Sequence, residues 1–238
     1  MKIKSIRIFT ILTVVSAFIA GGALMAPANA AEVTRYITVS ATGSTTVVPD
    51  AVRIGATVSV LGKTSKEALA TAGSASNAVR KALTAKKIAT KDVATQSIST
   101  FPEYTYPASG TPVLNGYRAT QSFTITVRAA ETAGAVVDAI VEAAGDNVQI
   151  NSASPFILDN DKATEIARAN AVKQAKAKAA SYAKLLGVKL GAVVYLNEES
   201  SPNVFPVYGV SAKAEDASTQ IDLGEQKVTV TVTVRWGL

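Results

Sequence analysis

The chain has 238 residues, 24 of them basic and 18 acidic, and contains neither cysteine nor histidine. Those absences exclude disulfides, thiolate or imidazole metal sites, haem ligation by cysteine or histidine, and every hydrolytic site that relies on an imidazole base. With 48% of residues apolar, the chain can bury a core, and packing alone must supply its stability.

Lys2, Lys4 and Arg7 form a positive region ahead of the uncharged, mostly apolar run Ile8 to Ala20. Gly21 and Gly22 break that run, and Ala28-Asn29-Ala30 sets small residues where signal peptidase reads. Residues 1–30 are therefore expected to be a signal peptide cleaved between Ala30 and Ala31, with 31–238 as one exported domain. The rival reading is an uncleaved anchor, because 8–26 carry no charge. No transmembrane segment is expected in the mature chain. Without the three leader cations the domain keeps 21 basic and 18 acidic residues, an excess too mild to suggest nucleic acid.

Along the domain, Arg35 to Thr42 alternates apolar and polar residues and reads as a strand. Ala51 to Leu61 is a second strand, separated from the first by a connection holding Pro49. Thr64-Ser65-Lys66-Glu67 is a capping box opening a helix to about Lys87, with Ala68, Ala72, Ala75, Val79 and Leu83 on one face. Asp92 to Tyr104 and Tyr117 to Arg128 read as strands paired in a hairpin around a turn-rich loop, 107–115. A short helix, Glu131 to Ala144, ends at Gly145, and Asn147 to Phe156 is a strand. Asp159-Asn160-Asp161 caps the longest helix, which ends at Leu186 with Gly187 as its left-handed stop. Strands follow at Ala192 to Asn197 and Gln226 to Trp236, separated by a long loop at about 200–224.

The order strand, helix, strand, strand occurs over Ala51 to Arg128 and again over Asn147 to Arg235. The expected fold class is α+β: antiparallel or mixed sheet with helices packed on one side, built as two βαββ units joined by the short helix.

Few residues recommend themselves as sites. Asp159 to Asp161 lacks the glycine and glutamate of a calcium loop and reads as a helix cap. Lys162, Lys173, Lys176 and Lys184 share one quadrant of the long helix, with Ala167, Ala171, Ala175, Tyr182, Leu185 and Leu186 roughly opposite. That face reads as solvated, with an anion or membrane-surface patch as the functional alternative. Val204, Phe205, Val207 and Tyr208 are apolar residues in the long loop and are candidates for an interface or for self-packing. No catalytic residue, metal ligand or cofactor is expected.

Several strings, in order, resemble the SIMPL-domain family, which includes bacterial periplasmic immunogenic proteins. They are Ile37-Thr38-Val39-Ser40-Ala41-Thr42-Gly43-Ser44 with Pro49-Asp50, Lys63 to Ala68, Lys91-Asp92-Val93, Pro102-Glu103-Tyr104 and Gly116-Tyr117-Arg118-Ala119. Asp159, Leu186 to Gly191 and Gly224 to Val228 continue the match, while Ala41, where the family more often has glycine, and the stretch 147–150 depart from it. The resemblance implies an exported α+β protein of the periplasm, cell envelope or medium. It further implies an association with stress tolerance and host antibody recognition, and ring-like oligomers in some members, but no reaction. Two functions stand against each other: self-association, giving a homo-oligomer, or a monomeric binding module for a cell-wall polymer, lipid or envelope protein. A carboxylate- or tyrosine-based enzyme is a distant third.

Overall fold

A computed structural model describes residues 35–108, 110–199, 203–207 (by their backbone) and 219–238. Ala28, Ala30, Ala31 and Tyr208 lie outside them. Among the described residues eight strands and three α-helices follow in the order β1 (Tyr36–Val47), β2 (Ala51–Gly62), α1 (Ser65–Ala85), β3 (Val93–Thr105), β4 (Val113–Val127), α2 (Ala133–Ala144), β5 (Val148–Phe156), α3 (Asp161–Leu185), β6 (Val193–Glu198), β7 (Asn203–Val207) and β8 (Glu225–Gly237). All strand pairs are antiparallel. The fold class is α+β.

One sheet has the order β3-β4-β2-β5. Alternation along β2 and β4 turns Val52, Ile54, Ala56, Val58, Phe123, Ile125 and Val127 to one face, where α1 and α2 cover them. Each fully buried Val, Ile or Phe there stabilises the fold by about 1.5–3 kcal/mol relative to exposure. The helix face on α1 is Ala68, Ala72, Ser76, Val79 and Leu83. Ser76, not anticipated on that face, has a buried hydroxyl without a partner. At the N-terminus of α1 the Glu67 amide donates to Thr64 Oγ1 (3.2 Å), and the Glu67 carboxylate accepts from the Lys63 amide (3.1 Å). The capping box thus closes one residue earlier than the standard pattern.

In the second sheet β8 is central, with β1 along one side and β6 and β7 end to end along the other. Val228, Val230, Val232, Val234 and Trp236 of β8 and Ile37, Val39 and Ala41 of β1 pack beneath α3. The helix meets them with one row, Ala163, Ala167, Ala171, Ala175, Ala179 and Ala183. An i±4 row is inclined to the helix axis, so the packing face turns along the length of α3. That explains a departure from expectation: Tyr182, Leu185 and Leu186, placed by simple periodicity with the buried alanines, are 53%, 78% and 65% exposed. The Asn160 side chain makes no capping bond either; Asp159 Oδ1 accepts from the Asp161 amide instead, at 3.0 Å.

The repeat is present with a different strand. The β2 sheet holds β2, α1, β3 and β4 as one unit, and the matching set in the β8 sheet is α3, β6 and β8 with β1 where β5 was expected. β5 lies instead on the free side of β2, in register from Ala51↔Phe156 to Val58↔Val148 with a bulge at Gly55/Ala56. α2 packs on α1 and links β4 to β5 within the first sheet, so the chain connection between the two units does not run through it; its Asp138 accepts hydrogen bonds from Thr219, ahead of β8. Asp50, in the β1–β2 connection, ties these parts together. Its carbonyl accepts from the Ala130 amide and its carboxylate from the Leu158 amide.

Candidate interaction site

The segment expected as loop at 200–224 contains a strand. β7 pairs with β8 from Asn203↔Thr229 to Val207↔Glu225, placing Val204 opposite Val228 and Phe205 opposite Lys227. It extends the edge formed by β6, whose Val193, Val194, Tyr195 and Leu196 are all at least half exposed. Val193 pairs with Trp236 and Tyr36 with Gly237, so the β6 residues and Tyr36 share one end of the sheet. The exposed Leu185 and Leu186 close α3 seven residues before β6 begins.

The helix-free faces of both sheets carry hydroxyls. On the β2 sheet, Thr57 bonds Ser122 (3.0 Å) and accepts from Asn151 Nδ2 (2.8 Å), and Ser99 bonds Thr120 (2.7 Å). On the β8 sheet Thr42 bonds Thr231 at 2.8 Å. Each face also sets an arginine against aromatic rings. Arg53 lies 4.5 Å from the Phe156 centroid, and Arg235 lies 4.2 Å from that of Tyr36 and 5.9 Å from that of Tyr195. Such cation–π contacts are worth roughly 0.5–1 kcal/mol at exposed sites.

Lys162, Lys173, Lys176 and Lys184 are all exposed along α3. Displaced ionisations occur elsewhere. The Asp92, Glu103 and Glu198 carboxyls are held below their ordinary values, foremost by hydrogen bonds from Arg128, Arg118 and Arg168 respectively, with desolvation opposing. Arg128 grips Asp92 with two bonds of 2.9 and 2.8 Å, and Arg168 grips Glu198 with two of 2.6 and 2.9 Å. All three are ion pairs between strands, helices and their connections, and each is explained by its partner.

Residues 37–236 match the model of the SIMPL family, described as a protein of unknown function (DUF541). The chain belongs to the SIMPL family. It is similar to the 26 kDa periplasmic immunogenic proteins of Brucella melitensis biotype 1 and of Brucella abortus strain S19. Each is 30% identical over 211 residues, spanning 83% of this chain and 82% of the relative. Among the described residues no helix is long and apolar enough to cross a membrane. The SIMPL match covers both sheets, from the start of β1 to the end of β8, and therefore the β6–β7 edge with them.

Proposed function

We propose that this SIMPL protein is an exported, non-enzymatic protein that works by self-association, a second copy adding along the β6–β7 edge of the β8 sheet. The observation that carries this reading is β6 itself, an edge strand with four successive apolar residues at least half exposed. An edge strand presents unpaired amides and carbonyls; β6 holds no proline, and its one charge, Glu198, lies at its end in the ion pair with Arg168, so the run 193–196 is a ready template for another chain. β7 continues the edge but holds Pro206, which lacks a donor, so β6 is the stronger half of the contact. The link to stress tolerance rests on the family resemblance.

The test is to place lysines on the edge, as natural edge strands do. Val194→Lys with Leu196→Lys should convert the full-length assembly to monomer on light scattering while leaving the circular dichroism spectrum unchanged. A double variant that keeps the wild-type mass would contradict the proposal.

A second reading, a monomeric module for a cell-wall polymer, draws on the two hydroxyl-bearing faces with their arginine–aromatic pairs. Saturable retention of a monomer on insoluble cell-wall material, lost in Arg235→Ala, would favour it over self-association.

A further inference from the structure

Helices α1 and α3 end in the same way. After α3, Gly187 adopts φ 67° while its amide donates to the Lys184 carbonyl and the Val188 amide reaches back to Ala183. After α1, Lys87 adopts φ 61°, donates to Thr84, and the Ile88 amide reaches back to Leu83. Both are Schellman endings, in which the left-handed position normally belongs to glycine. Lys87 is the one non-glycine residue with positive φ among those described. A strained backbone retained at one of two equivalent endings points to a use for the side chain placed there.

That side chain borders a recess of about 440 Å³ between the end of α1, the following turn and the end of β4. Lys86, Lys87, Lys91 and Arg128 line it, with Ile88, Thr126 and Thr132 among the remaining walls. Its single carboxylate, Asp92, is already gripped by both nitrogens of the Arg128 fork. None of the three lysines has an ion-pair partner among the described residues. Glu131 neighbours Thr132 but does not line the recess. Further back along α1, Arg80 and Lys81 line a second recess.

Cations at a helix C-terminus are ordinary, because they complement its dipole. That does not account for a lysine at a position suited to glycine or for Lys91 on the next turn, while Arg128 is brought in from β4 by its pair with Asp92. The charge of the three lysines converges on one concave surface whose single carboxylate is held by Arg128. We infer that this recess is an anion site for a phosphorylated group, with Lys86, Lys87 and Lys91 as point-charge donors and the Arg128–Asp92 pair as its fixed wall. Lysine suits phosphate as a point charge, and Arg128 has only its remaining guanidinium hydrogens to contribute. The volume admits a headgroup of one to three phosphates, either free or at a lipid surface. The site is remote in sequence from the β6–β7 edge and does not depend on self-association.

Calorimetric titration of the full-length protein with tripolyphosphate tests this, alongside sedimentation with phosphatidylcholine vesicles containing phosphatidic acid. Two triple variants carry the same charge change: Lys86→Ala/Lys87→Gly/Lys91→Ala in the recess, and Lys162→Ala/Lys173→Ala/Lys176→Ala on α3. The inference expects saturable, salt-sensitive binding by wild type and by the α3 variant, weakened about tenfold or more in the recess variant. Lys87→Gly alone should weaken binding while keeping or raising the melting midpoint, which guards against a folding artefact. The arm in which wild type binds identifies the source of the phosphate. Absence of saturable binding in both arms, or equal binding by the two triple variants, would overturn the inference.

Discussion

A Cβ built on Gly43 would stand 2.1 Å from the Ala171 amide nitrogen and 2.2 Å from the Ala167 carbonyl oxygen. Both are helix backbone, so the neighbour cannot move aside as a side chain would. The alanine row of α3 and the missing side chain at Gly43 together let the helix lie directly on β1. Gly43→Ala should therefore destabilise the protein by about 1–3 kcal/mol, as overpacking does, read from the urea midpoint. Asp92 offers a second test at this scale. Its folded pKa lies below the unfolded value because Arg128 holds the charged form. The stability it contributes is complete above the unfolded value near 4 and is lost as pH falls through the lower folded value. Urea midpoints measured from pH 6 to pH 2.5 should fall less steeply for Asp92→Asn than for wild type. In the sequence Gly43 reads as the end of a strand, whereas β1 runs on to Val47. Nothing local announces that a helix beginning only at Asp161 presses on that spot. Lys86, Lys87 and Lys91 are equally visible as helix-end cations, but their union with Arg128 is a product of the fold.

At the scale of elements, alternation and caps marked out most strands and the helices. β1, β2, β4 and β8 show apolar residues at period two because one face of each is covered and the other is wet. β7 gives no signal of its own, because five residues containing a proline are too short a pattern for period-two reading and its place depends on pairing with β8. The repeat was legible as an order of elements but not as a set of partners. Sequence order favoured β5 as the opening strand of the second unit; β1 takes that place because its Ile37, Val39 and Ala41 supply the half of the core that α3 covers. β5 has only Val148 buried, with residues 151–154 all exposed, which suits a sheet edge and not a central position. The inclined alanine row is likewise a three-dimensional property, and it leaves Tyr182, Leu185 and Leu186 outside.

For the whole molecule, two helix-covered sheets keep separate hydrophobic cores. They are joined by β1–β2, by the Asp50 bonds and by Gln226, whose side-chain amide donates to the Pro155 carbonyl at 2.8 Å. Each sheet leaves one face and its edges uncovered by its own helices. Among the described residues β6 is the edge with four successive exposed apolar residues, whereas the exposed Ile98, Phe101 and Tyr104 of the β3 edge are spaced apart, and protection of the β6 edge by a second copy is the simplest way to remove it from water. The measurement that bears most directly on this is light scattering of the full-length protein across a dilution series. Self-association predicts a discrete multiple of the chain mass that dissociates only at low concentration; a monomeric mass throughout would contradict it.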